Sequence, residues 1–231
     1  ERWPDSALTL SVGERGRGSY ALLRQAGADR FLLRHESADA GHFALLHPQG
    51  KRLDSRMQCL RDLKTLGFQT GAGFMVGSPW QTTEHLAADL EFLRAFQPEM
   101  VGIGPFLPHR DTPFTAIPPG TPEKTLVMLA LTRLILPGAL IPATTALNTA
   151  AGDGRTRGIL AGANVIMPNV SPAAQREKYM LYDGKKHGGR EAGENLAALR
   201  EEVCAIGYEV VMDRGDYQNP ENKKEVQHVP A

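Results

Sequence analysis

Cysteine is almost missing from this sequence: Cys59 and Cys204 are the two in 231 residues, with no CxxC and no histidine near either at metal-ligand spacing. That excludes a disulfide framework and a zinc site built on these thiols, and it suits a reducing cytoplasm. An excess of one charge is missing too, since 26 Lys and Arg balance 26 Asp and Glu. Without a basic stretch there is no footprint for a phosphate backbone, so nucleic acid is not an expected partner. No apolar run reaches membrane-spanning length, because the longest, around 126–136, is interrupted by Thr132 and Arg133, so no membrane partner is expected either. A dinucleotide fingerprint is lacking, as Gly71-x-Gly73 is followed by Val76 where the third glycine belongs. No apolar segment ends in Lys, which counts against an aldolase or epimerase that handles phosphorylated substrates. The chain begins with Glu and has no charged-then-apolar leader, so its start reads as a cut edge.

What the sequence does have is recurrence. Apolar stretches of strand length lie at 7–13 (ALTLSVG), 31–34 (FLLR), 70–77 (TGAGFMVG), 100–108 (MVGIGPFLP), 139–146 (ALIPATTA) and 163–169 (ANVIMPN). Helical spacing separates them. Residues 53–67 put Met57, Leu60 and Leu63 on one face, offer Asp54 or Ser55 as a cap and close on Gly67. Residues 82–96 repeat the pattern with Leu86, Leu90 and Leu93, and 121–138 open with Thr121, Pro122 and Glu123 and stop at Pro137-Gly138. Two junctions, at 26–29 and 161–164, share the frame Ala-Gly-Ala-[Asp/Asn] followed by apolar residues, a weak internal repeat of helix end into strand.

Alternating strands and helices predict βαβ units and a parallel sheet buried on both faces. A doubly wound sheet concentrates its site at one switch point, whereas a barrel gathers residues from every strand end. Here polar or glycine-rich residues follow each apolar run: Ser11, Arg34-His35-Glu36, Gly77-Ser78-Pro79, Pro105 to His109, Thr144-Thr145 and Pro168-Asn169. The expected fold is therefore α/β, a partial TIM-type barrel of about six parallel strands with outer helices. It is short of a full barrel by its first two βα units. Residues 1–185 are expected to form the truncated barrel, and 186–231 a helical and irregular extension packed on it.

Within FLLRHESAD (31–39), Arg34 and Glu36 are two apart and point to one side of a strand. That suits either a zwitterionic ligand at the barrel mouth or an ion pair that seals the rim. His35 points the other way, toward packing or toward support of the residues that line the site. The glycines at 71, 73 and 77 permit close backbone approach, to a ligand or in a tight turn. Thr144 and Thr145 reach a strand end, and Tyr179 and Tyr182 have helical spacing that suits a pocket lid or simple packing.

Taken in order, TLSVGE, ADRFLLRHE, TGAGFMVGSPWQT, VGIGPFLPH, IPATTA, GANVIMPN and YMLYDGK resemble the strand-end motifs of the radical S-adenosylmethionine (SAM) maturase family HydE, which serves [FeFe]-hydrogenase assembly and is related to biotin synthase and methylornithine synthase. The resemblance runs from residue 7 to about 217. It implies that Glu36 and Arg56 hold the amino-acid and ribose portions of SAM, with Arg56 as counter-charge to its carboxylate. Met75, Gly77, Gly102 and Pro105 would line its adenine and methionine portions. Thr9, Ser11, Arg34, Thr144, Thr145, Met167, Tyr179 and Tyr182 would form an inner cavity for a cysteine-bound iron complex carrying CO and cyanide. Other hydrogenase maturases are the implied partners.

The family's CxxxCxxC loop, whose thiolates hold a [4Fe–4S] cluster, has no counterpart in these residues. The resemblance thus carries the expectation that this chain alone does not cleave SAM. A related radical SAM activity of the biotin synthase or methylornithine synthase kind, or a non-catalytic barrel fragment that binds small molecules, are the alternatives.

Overall fold

A computed structural model describes residues 5–168 and 192–219 of the chain. Its elements follow in chain order: β1 (Thr9–Leu10), α1 (Arg17–Gln25), β2 (Arg30–Leu32), α2 (Ala40–Leu46), α3 (Leu53–Thr65), β3 (Gln69–Val76), α4 (Thr83–Phe96), β4 (Met100–Pro105), α5 (Pro122–Ile135), α6 (Thr145–Ala151), α7 (Gly154–Leu160) and α8 (Ala192–Cys204). Chemistry at the termini explains the helix limits. Thr82 caps α4 reciprocally with His85: the Thr82 hydroxyl accepts the His85 N–H, and His85 Nδ1 accepts the Thr82 N–H. Thr121 caps α5, with Pro122 in its first turn. For α3 the expected cap at Asp54 or Ser55 is not found. The helix starts earlier, behind Arg52 and without a side-chain cap, and Asp54 sits in its first turn, where a carboxylate favours the helix dipole.

The sheet is parallel throughout, in the order β1-β2-β3-β4. Arg30 of β2 pairs with both Thr9 and Gln69, and Gly71 of β3 pairs with Met100 of β4. Beyond β4 the order continues through single bridges, Met100 to Leu140 and Pro142 to Val165, both parallel. Six chain segments thus lie side by side in sequence order without reversal, as in a barrel and unlike a doubly wound sheet. The expectation of about six strands is corrected in one respect. Four make ladders, and 139–146 and 163–168 contribute isolated bridges, because Pro142 cannot donate to a ladder and Thr144 already turns the chain into α6.

The strands bury one face against helices. Phe31, Leu60, Leu63, Phe74, Leu93, Ile103, Leu129 and Ile141 are fully enclosed there, each worth about 1.5–3 kcal/mol of hydrophobic stabilisation. At the opposite end from the polar strand ends, residues 214–217 cross beneath the starts of β2 and β3. Asp216 accepts from Arg30 (2.9 Å) and from Gln69 (3.0 Å), and the Tyr217 N–H donates to Gln69 Oε1 at 3.1 Å. Among the described residues no helix is long and apolar enough to cross a membrane.

Candidate functional site

From Phe31 to Ser37 the chain alternates strictly between buried and half-buried residues, the period of an extended segment. Phe31 meets Tyr20 of α1 edge-on at 5.1 Å, and His35 lies 4.6 Å from Phe92 of α4, so the odd positions face the helices. The even positions face glycine. A methyl group added at Gly71 would sit 2.6 Å from Leu32 Cδ1, and one at Gly102 would touch Arg34 Cδ at 3.6 Å. One at Gly104 would come within 2.8 Å of Thr144 Oγ1. On this face β3 and β4 therefore present bare backbone, with Arg34 and Thr144 laid across it.

The charges at this end of the sheet are linked. Arg34 pairs with Glu36 at 3.1 Å. Glu36 has left-handed backbone, φ +68°, uncommon for a residue with a Cβ, and it is held by a parallel bridge to Phe74 and an N–H bond to Gly73 O at 3.0 Å. Its second carboxylate oxygen is buried and has no hydrogen-bond partner among the described residues. Arg56 reaches in from α3: Nε meets Glu14 Oε1 at 2.6 Å, Nη1 donates to the Arg34 carbonyl at 2.6 Å, and the guanidinium lies 5.7 Å from the centre of the Phe43 ring. The Glu14 loop is fixed by Tyr20, whose hydroxyl accepts the Arg15 N–H and donates to Gly13 O. Burial pushes the Tyr20 phenol above its ordinary pKa.

The turn after β3 is clamped by Gln81, which donates to Met75 O at 2.8 Å and accepts the Gly77 N–H at 2.6 Å. Gly120 packs here so closely that its methyl derivative would lie 1.9 Å from Val76 O. Beneath the turn, buried His42 bonds Ser37 Oγ at 3.0 Å and Pro79 O at 3.0 Å and stacks on His85 at 4.4 Å. Desolvation, with the nearby His85, lowers its pKa below the ordinary imidazole range.

Of the residues expected at the site, the fold gathers Arg34, Glu36, Arg56, Gly102 and Thr144, with Met75, Gly77 and Pro105 along the ends of β3 and β4. Thr144 is not a strand end. It caps α6, accepting the Leu147 N–H, and this places Thr145 in the helix with its side chain exposed. Met167 is exposed, as are Thr9 on β1 and Ser11 just beyond it, whose hydroxyl donates to Leu32 O at 3.1 Å. Tyr179 and Tyr182 lie outside the described residues. The sequence reading assigned no role to Glu14, Gln81 or Gly120. Glu14 stands just past the first apolar run, Gln81 lies within the TGAGFMVGSPWQT motif and Gly120 follows a Pro-Pro pair, so each had a positional signal. Among the described residues no three His, Cys, Asp or Glu side chains group as metal ligands, and Cys59 is buried in α3.

No protein-family model matches the chain. It is 50% identical over 179 residues to the [FeFe] hydrogenase maturase subunit HydE of Thermotoga maritima, which covers 78% of this chain and 51% of that protein. It is 27% identical over 176 residues to 3-methylornithine synthase of Methanosarcina barkeri, covering 76% of this chain and 49% of the synthase. The chain thus spans about half the length of the curated relatives it matches. Among solved structures, methylornithine synthase (PylB) superposes with a TM-score of 0.74 at 21% identity, over 89% of this chain and 59% of that one. HydG, a maturase of the [FeFe]-hydrogenase, does so with 0.63 at 16%, over 85% and 44%. The identity bears out the resemblance to the HydE family, and the superpositions bear out the partial barrel fold.

Proposed function

Because this chain is a HydE-like part of a radical SAM barrel, we propose that its polar strand ends bind SAM and that it serves the maturation of the [FeFe]-hydrogenase cofactor. The observation that carries the reading is Glu36. A carboxylate held in left-handed backbone, paired on one oxygen and buried with no partner among the described residues on the other, suits a ligand that brings N–H or O–H donors. The α-ammonium and ribose hydroxyls of SAM are such donors. The glycine-paved face of β3 and β4 leaves room beside it. Arg56 acts differently from a free counter-charge. Glu14 already balances it, and two of its five N–H donors are engaged, so it orients the ligand with the donors that remain.

The fit does not extend to the iron–sulfur cluster. The chain supplies two cysteines, one of them buried in an outer helix, and no step through a cluster is drawn for these residues. We propose that they do not cleave SAM reductively by themselves. For the substrate, Arg34 and the Thr144 hydroxyl across Gly102 and Gly104 favour a small anionic complex with oxygen, nitrogen or carbonyl acceptors, such as a cysteine-bound iron carrying CO and cyanide. Other hydrogenase maturases are the proposed partners. The 50% identity to HydE against 27% to 3-methylornithine synthase favours this substrate class over that of a methylornithine synthase.

Calorimetric titration of the chain with SAM tests the reading. Glu36→Gln and Arg56→Ala are each expected to weaken binding about tenfold, roughly 1.4 kcal/mol. No 5′-deoxyadenosine is expected after incubation with iron, sulfide and a reductant. Binding that neither substitution alters, or deoxyadenosine release by the chain alone, would overturn the reading.

A further inference from the structure

Asp89 lies on α4, outside the sheet, and is wholly buried. One of its oxygens, Oδ1, makes two contacts: to His35 Nε2 at 3.2 Å and to the Ala38 N–H at 2.6 Å. These residues flank Glu36, one before it and two after. The tautomer of His35 follows from its other bond. The Gly73 N–H can only donate, and it donates to His35 Nδ1 at 3.2 Å, so the imidazole proton sits on Nε2 and points at Asp89. The same Gly73 accepts the Glu36 N–H through its carbonyl at 3.0 Å. Asp89, His35, Gly73 and Glu36 thus form one closed set of bonds around the left-handed residue. Asp89 Oδ2 is buried without a hydrogen-bond partner among the described residues, an unfavourable arrangement for a carboxyl group and hard to account for if Asp89 served only to pack α4.

We propose that Asp89 is a positioning residue for the ligand of Glu36: its single oxygen brackets the 35–38 segment and keeps Glu36 in the left-handed conformation that aims its carboxylate at the site. The inference rests on the reading of Glu36 as a SAM-binding residue. Asp89 touches no ligand atom and acts through His35 and the Ala38 amide.

The substitutions Asp89→Ala and Asp89→Asn separate bracketing from packing. Both contacts go to one oxygen, and the amide oxygen of Asn can accept both, so Asp89→Asn is expected to keep SAM affinity within about twofold. Asp89→Ala is expected to lose about tenfold or more. A double-substitution cycle with Glu36→Gln supplies the readout that a structural role would not move. If Asp89 acts through Glu36, Asp89→Ala adds little once Glu36 is Gln, whereas a general packing role gives additive losses. Amide hydrogen exchange in the absence of ligand tests the bracket itself, with Asp89→Ala expected to speed exchange at Glu36 and Ala38 at least tenfold while amides in α3 keep their rates. Additive losses, no rescue by Asn, or unchanged exchange at Glu36 and Ala38 would overturn the proposal. If Glu36→Gln leaves SAM binding unchanged while the exchange effect is present, the SAM reading falls and the bracket is a local tether, which overturns the ligand part of the inference alone.

Discussion

At the scale of the residue, the site depends on a conformation that its sequence does not favour. A non-glycine residue in left-handed backbone costs about 1–2 kcal/mol, and Glu36 holds φ +68° inside a segment that otherwise alternates like a strand. Its ion pair with the half-exposed Arg34 offsets little of that, since such pairs contribute about 0.2–1 kcal/mol. Glu36→Gly is therefore expected to leave the chain as stable or up to about 1 kcal/mol more stable to urea, while SAM binding is lost. Clear destabilisation by this substitution would remove strain from the account. The side on which Arg34 and Glu36 lie could be read from their two-residue spacing. The backbone twist at Glu36 could not, because it is imposed by Gly73 and Asp89, 37 and 53 positions further along the chain.

At the scale of the element, one device recurs where helices hand over to strands. Asp29 donates its N–H to Leu8 O and accepts the Leu8 N–H on its side chain. Glu99 does the same with Thr70, and Asn164 with Ile141. Each side chain satisfies a strand-starting amide that the parallel ladder leaves open. Asp29 and Asn164 occupy the Asp/Asn position of the repeated Ala-Gly-Ala frame, so the weak repetition in the sequence marks a real structural unit. Glu99 performs the role without the frame and was not legible. The places where backbones approach closely are less forgiving. A methyl group on Gly73 would lie 2.0 Å from Gly102 O, and one on Gly120 1.9 Å from Val76 O, whereas Gly13 has open space around it. Gly73→Ala and Gly120→Ala are each expected to cost at least about 3 kcal/mol in urea unfolding, against about 1 kcal/mol for Gly13→Ala, which pays only for its positive φ. Equal costs at the three positions would show that close approach does not govern these turns.

At the scale of the whole molecule, residues 214–217 brace the underside of the sheet at the starts of β2 and β3. Arg214 pairs with Asp29 at 2.8 Å and with Asp216 at 2.8 Å, and Asp216 pairs with Arg30 at 2.9 Å. The Arg30 hydrogen bond is the main reason that the Asp216 carboxyl titrates below its ordinary value of 3.8. With a folded-state pKa below the unfolded one, the carboxylate's contribution is fully present above about pH 4 and is lost as the pH falls through the lower value. Asp216→Ala is expected to cost about 1 kcal/mol at low ionic strength and less in 1 M salt. It should also raise amide exchange at Tyr217, whose N–H is held by Gln69. An unchanged Tyr217 amide would mean that the tail is held by something other than this network.

What the sequence determined by itself was carried by short-range pattern, although α3 begins behind Arg52 and not at a cap on Asp54 or Ser55. The alternation of apolar runs and helical spacing, the Thr121 cap and the polar residues after each run are local, and local sterics and hydrogen bonding decide them. The tertiary structure alone decided which of those residues meet. Thr145 and Met167 are turned outward, Thr144 is spent as a cap that overhangs Gly104, and Arg56 is matched with Glu14 across 42 positions of chain. These outcomes depend on contacts between segments far apart in sequence, where the packing of one backbone against another fixes the direction of each side chain.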